Sequence, residues 1–73
     1  MAFPENLRRL RTDRYLTQDG LAKEAGLSRV TITRLESGET PPLARTVRQL
    51  AKALGVEPRE LAMPNELAAK SAA

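Results

Sequence analysis

Arg29, Val30, Thr33 and Arg34 recur at helical spacing and bring together two guanidinium groups, a hydroxyl and a branched apolar side chain. At roughly 100° per residue they gather on one side of a helix over residues 28–37, with Ser37, while Ile32 and Leu35 take the opposite side. The chemistry such a face offers is recognition. An arginine fork donates bidentately to guanine O6 and N7, a threonine hydroxyl donates or accepts at either type of base pair, and a valine methyl packs on the thymine methyl. An α-helix also fits the width of the DNA major groove. Val30 is informative because a β-branched apolar residue opposite the core stripe costs helix propensity and gains no burial within the domain, which fits either a methyl contact or a partner surface.

A second set of residues suits phosphate. Thr17 and Gln18 open a helix, where unpaired backbone N–H groups and the positive end of the helix dipole receive an anion, and the Gln18 amide adds a donor. Ser28 caps the next helix and also lies within reach of a nucleic-acid backbone, and Ser37 is placed on the backbone at the far end of the same face. Such contacts position a helix without reading sequence.

The elements that must hold these side chains follow from caps, stops and apolar spacing. Pro4 and Glu5 suit a first helical turn, and Leu7, Leu10 and Arg11 share a face, so the spacing predicts a helix from about Glu5 to Asp13. Thr17 is an N-cap, Leu21, Ala22 and Ala25 form the stripe of a second helix, and Gly26 ends it. Ser28 and Gly38 bound the third. Leu43, Val47, Leu50, Ala51 and Leu54 form a fourth amphipathic helix stopped at Gly55, and Pro58 opens a short fifth helix carrying Leu61. After Pro64 the composition becomes alanine-rich and polar, so residues 1–63 are expected to be the folded domain and residues 64–73 a frayed or disordered tail. Without strand-like alternation, the fold class is all-α, with two short helices crossed at the Gly26 turn as a helix-turn-helix.

Composition narrows the function. The 73 residues leave room for one small domain, and the absence of Cys and His removes thiol chemistry, disulfides, Cys/His metal sites and the commonest general base. No paired carboxylates suggest acid–base catalysis, so neither an enzyme nor a cofactor is expected. The formal charge is +3, and nine of the twelve cationic residues are arginines. They cluster as Arg8, Arg9, Arg11 and Arg14, then Arg29 and Arg34, then Arg45 and Arg48, which suits a phosphate-bearing partner. Phe3 and Tyr15 are too few aromatics for an RNA-stacking platform. No apolar run approaches the ~20 residues needed to span a bilayer, and the first residues lack a secretory pattern, so a cytoplasmic protein is expected.

The residues Leu16-Thr17-Gln18, Leu21-Ala22, Gly26-Leu27-Ser28, Ile32, Leu35-Glu36-Ser37-Gly38, Pro42 and Leu50-Ala51-Lys52-Ala53-Leu54-Gly55-Val56 together resemble the lambda-repressor and Cro type of helix-turn-helix domain, also known from the xenobiotic-response-element regulators. The resemblance runs over about residues 6–62. It implies a five-helix domain that binds operator DNA as a twofold dimer, with Gln18 on phosphate and Arg29, Val30, Thr33 and Arg34 facing bases. It also implies that Arg11 pairs with Glu36 in a partly buried ion pair, which would take Arg11 out of the DNA-facing set. Two positions depart from the pattern. Gly20 stands where the family commonly has an acidic residue, so the reciprocal half of a capping box is missing. The loop from Glu39 to Pro42 lacks the basic residues that some members use on phosphate, leaving Arg45 as the nearest substitute.

The expected function is that of a sequence-specific regulator of transcription, a repressor, that binds double-stranded DNA at a palindromic operator as a homodimer. The alternative is a DNA-binding antitoxin or protein-interaction module of the same fold, with a protein partner docking on the C-terminal segment. Leu54, Val56, Leu61, Met63 and Leu67 could supply an apolar patch there, although Leu54, Val56 and Leu61 are also suited to the core.

Overall fold

Polar caps and left-handed stops cut the chain into α1 (Ala2–Asp13), α2 (Gln18–Ala25), α3 (Arg29–Ser37), α4 (Ala44–Leu54) and α5 (Pro58–Ala62). The computed structural model describes residues 2–62. The first helix starts earlier than its sequence spacing predicts, at Ala2 instead of about Glu5. Pro4 then falls within the first turn, where its missing N–H has no intrahelical role, and the burial of Phe3 ties that turn to the core.

The helices enclose one apolar centre. Leu7 comes from α1, Leu21 and Ala22 from α2, Ile32 and Leu35 from α3, Leu50 and Leu54 from α4, and Leu61 from α5. The short α5 is tied down by more than its leucine, since the buried Asn6 Nδ2 donates to the Leu61 carbonyl at 2.9 Å. Leu54 and Leu61 are therefore core residues and Val56 is partly buried, which removes them from any exposed C-terminal patch. Met63, Leu67 and the expected tail over 64–73 lie outside the described residues.

Helices α2, α3 and α4 each end on a glycine in the left-handed region, at Gly26, Gly38 and Gly55. In each, the following N–H reaches back to close a Schellman turn; Leu27 N–H donates to the Ala22 carbonyl at 2.8 Å. The end of α1 has the same hydrogen bonds without the glycine. Tyr15 N–H donates to Thr12 and Leu16 N–H to Arg11, at 2.9 and 3.1 Å. Tyr15 itself holds φ at 58°, with 96% of the residue exposed.

An L-residue in this conformation costs about 1–2 kcal/mol, part of which glycine would return as extra freedom in the unfolded chain. Tyr15→Gly is thus expected to raise stability by about 0.5–1 kcal/mol, read as a higher urea midpoint at unchanged slope. An unchanged or lower midpoint would show that the ring gains as much as its backbone loses.

Candidate nucleic-acid interface

Helices α2 and α3 pack against each other across the Gly26 turn, and both starts are capped from the side chain. Thr17 Oγ1 accepts from Gly20 N–H at 2.9 Å, and Ser28 Oγ accepts from Thr31 N–H at 3.1 Å. The cap on α2 thus forms even though Gly20 cannot return the second bond of a capping box. Ser28 is further engaged by Thr31 Oγ1 at 2.8 Å, so its hydroxyl serves the helix start.

Arg29, Val30, Thr33, Arg34 and Ser37 all stand on the exposed face of α3, away from buried Ile32 and Leu35. Val30 is 56% exposed, a large value for a valine within a small folded domain. Arg29, Val30, Thr33 and Arg34 line one open groove together with Glu39. Arg11, Thr17, Gln18 and Asp19 line a second, and Arg29 belongs to both. The side chains suited to base edges are therefore continuous with the helix start suited to phosphate. Among the described residues, neither Arg29 nor Arg34 is in an ion pair, so both guanidinium groups remain available to an outside acceptor.

The remaining backbone candidates differ in how free they are. Ser37 Oγ has two acceptors for its single proton, the Arg34 carbonyl at 3.0 Å and Glu39 Oε2 at 2.8 Å. Glu39 consequently places a carboxylate on the edge of the face; a carboxylate there repels phosphate and can accept from a cytosine amino group. Arg45, in the first turn of α4, is exposed and in no ion pair among the described residues.

Beneath this surface, Glu36 collects the polar side chains of three helices. Its carboxylate accepts from Arg11 Nε at 2.5 Å and from Arg11 Nη2 at 3.0 Å, with the two side chains 1% and 13% exposed. Arg11 also donates from Nη1 to the Leu16 carbonyl at 2.8 Å. Arg8 lies 3.6 Å from the same carboxylate but is largely solvated. Gln18 Nε2 donates to Glu36 Oε1 at 3.2 Å, and Thr33 Oγ1 donates either to Gln18 Oε1 at 3.0 Å or to the Arg29 carbonyl at 3.1 Å. A chain of contacts thus joins the buried ion pair to the exposed face.

The basic cluster of α1 divides accordingly. Arg11 is held by Glu36, and Arg14 Nη1 donates to the Leu54 carbonyl at the end of α4, 2.8 Å away. Sequence spacing did not point to Arg14 as a helix cap, because its acceptor is forty residues away in the chain. Arg14→Ala is expected to cost about 1 kcal/mol, since the hydrogen bond is charge-assisted but partly solvated and the carbonyl is left to water. Hydrogen exchange in the last turn of α4 provides the local check, with protection unchanged if the contact contributes nothing.

Comparisons with known proteins agree with this arrangement. The Helix-turn-helix family profile matches residues 7–61. The chain is 38% identical over 61 residues to an uncharacterized HTH-type transcriptional regulator, y4dJ, of Sinorhizobium fredii, covering 84% of this chain and 79% of that protein. It is 37% identical over 67 residues to the HTH-type transcriptional activator BcrR of Enterococcus faecalis, where 92% of this chain matches 33% of the relative. With the transcriptional repressor RghR of Bacillus subtilis it shares 41% identity over 56 residues, 75% of this chain and 42% of that protein. The chain therefore spans a third of the activator and less than half of the repressor.

Among solved structures, the restriction-modification controller protein C.AhdI from Aeromonas hydrophila superimposes with a TM-score of 0.80 at 40% identity, covering 82% of this chain and 91% of that one. The DNA-binding domain of the P22 C2 repressor gives a TM-score of 0.80 at 32% identity, with coverage of 85% and 82%. The all-α architecture, the capped α2–α3 pair and these matches have one conclusion: the chain belongs to the helix-turn-helix family of the lambda repressor/Cro type, a family of DNA-binding regulators of transcription.

Proposed function

We propose that this protein regulates transcription, as a repressor, by setting the exposed face of α3 into the major groove of a specific double-stranded DNA site. The observation that carries this reading is the continuous surface on which Arg29, Val30, Thr33 and Arg34 meet the start of α2 through the shared Arg29. Arg29, Val30, Thr33 and Arg34 read bases, while Thr17, Gln18, Ser28, Ser37 and Arg45 lie along the backbone. Thr17 and Gln18 offer the clearest phosphate seat, since one Gln18 amide hydrogen remains after its bond to Glu36.

One such helix reads only a few base pairs, and each mismatch costs about 1–3 kcal/mol, so a single site discriminates weakly against a genome of competitors. Two copies on half-sites one helical turn apart supply the missing specificity. Occupancy alone represses where the bound site overlaps a promoter. Selection from a random duplex pool, with sedimentation of the selected complex, tests the reading. Two inverted short half-sites with two chains bound are expected. Binding that enriches nothing and falls only with salt would overturn it, leaving phosphate attraction alone.

A further inference from the structure

Thr33 has one hydroxyl hydrogen and two nearby acceptors inside the protein, which settles how it faces a ligand. Glu36, held by Arg11 through both carboxylate oxygens, accepts from Gln18 Nε2, so the amide turns its nitrogen inward and its oxygen toward α3. Thr33 Oγ1 lies 3.0 Å from that oxygen and 3.1 Å from the Arg29 carbonyl. Neither atom can donate, so whichever is used, the hydroxyl hydrogen is spent within the protein.

The geometry points to Thr33 as a one-way reader: the Gln18 amide oxygen, oriented by Glu36, and the Arg29 carbonyl both take the hydroxyl hydrogen and leave the oxygen as an acceptor toward the major groove, selecting the amino group of adenine or cytosine. Those amino groups are the hydrogen-bond donors that base pairs present there, whereas guanine O6 and N7 and thymine O4 only accept. Gln18 is in this account a positioning residue as well as a phosphate contact. Its amide would otherwise be free to turn its NH₂ toward Thr33, and the hydroxyl could then donate outward.

This inference rests on the proposed placement of α3 against bases, and the experiment separates the two. The full chain and its Thr33→Val and Gln18→Leu variants are each taken through selection from a random duplex pool, then titrated against the selected duplex. At the base pair whose preference changes in Thr33→Val, the amino-bearing base, adenine or cytosine, is expected to be the one contacted. Replacing that adenine by purine, or that cytosine by 2-pyrimidinone, removes only the amino group and should weaken wild-type binding about fivefold, the worth of one hydrogen bond. Thr33→Val should be indifferent to the replacement. Gln18→Leu leaves the Arg29 carbonyl as the remaining acceptor for the hydroxyl hydrogen, so it should lower affinity and reduce, without abolishing, the difference between duplexes with and without that amino group.

Wild-type binding unchanged by that replacement, at a position whose preference is lost in Thr33→Val, would keep α3 on the bases but overturn the acceptor assignment. A Gln18→Leu variant that binds every base at that position equally more weakly would overturn its positioning role. If Thr33→Val changes no position of the motif, Thr33 is not at a base and the inference falls while the rest of the α3 reading stands; if no motif is selected at all, the proposed function fails first.

Discussion

Glu36→Ala is expected to destabilise the protein by about 3–5 kcal/mol, the range for breaking a buried pair from one side. A chain of this length has a total stability of about 4–11 kcal/mol at ~0.05–0.15 kcal/mol per residue, so the variant would stand near the edge of folding at room temperature. The reason is the charge left behind. Arg11 is 13% exposed and would keep only the Leu16 carbonyl as an acceptor, while Gln18 Nε2 would lose its partner in the same step.

Glu36→Gln, which fills the same volume with a single acceptor oxygen, is expected to fall between the wild type and Glu36→Ala. Replacing both members, Arg11→Met with Glu36→Leu, should recover most of the loss, because removing the whole pair leaves no uncompensated charge. Urea denaturation of the wild type, Arg11→Met, Glu36→Leu and the double variant gives the coupling directly. A loss below about 1 kcal/mol in Glu36→Ala would show that solvent reaches the pair and that it is worth no more than a surface contact.

Arg29→Ala is expected to lower affinity for the selected duplex by about 1–3 kcal/mol, roughly 5- to 150-fold, with little change in fold stability. Its side chain is exposed, in no ion pair among the described residues, and stands where the two grooves meet. Salt dependence distinguishes a base contact from a phosphate contact. Losing a phosphate contact reduces the slope of log affinity against log salt by about one, and weakens all sequences alike. Arg29→Ala should leave that slope close to the wild type on the selected site, whereas Arg45→Ala should lower it by about one. The opposite pattern would exchange their roles.

Much of the fold was legible because its signals are local. A cap such as Thr17 or Ser28, a stop such as Gly26 and a leucine stripe such as Leu50 and Leu54 each act within one or two turns, and each appears where spacing predicts it. The start of α1 was misplaced because its cause is tertiary: only the core tells the chain that Phe3 belongs to a helix.

The candidate site divides along the same line. Which α3 residues face outward follows from helical period alone, and the structure leaves Arg29, Val30, Thr33 and Arg34 exposed. What those residues are bonded to does not follow from period. The bond from Thr33 to Gln18, the hold of Glu39 on Ser37 and the reach of Arg14 to the Leu54 carbonyl join groups whose meeting is set by packing or by a loop. Sequence proximity made the arginines of α1 look like one basic cluster, and the three-dimensional arrangement turns Arg11 and Arg14 to structural work.

The claim that α3 reads bases is tested most directly by selecting sequences from one random duplex pool with the wild type and Arg29→Ala in parallel. The same pair of inverted half-sites is expected from both, except for one base-pair position in each half-site where the variant loses its preference. An unchanged motif bound more weakly throughout would contradict it, and would put Arg29 on the backbone.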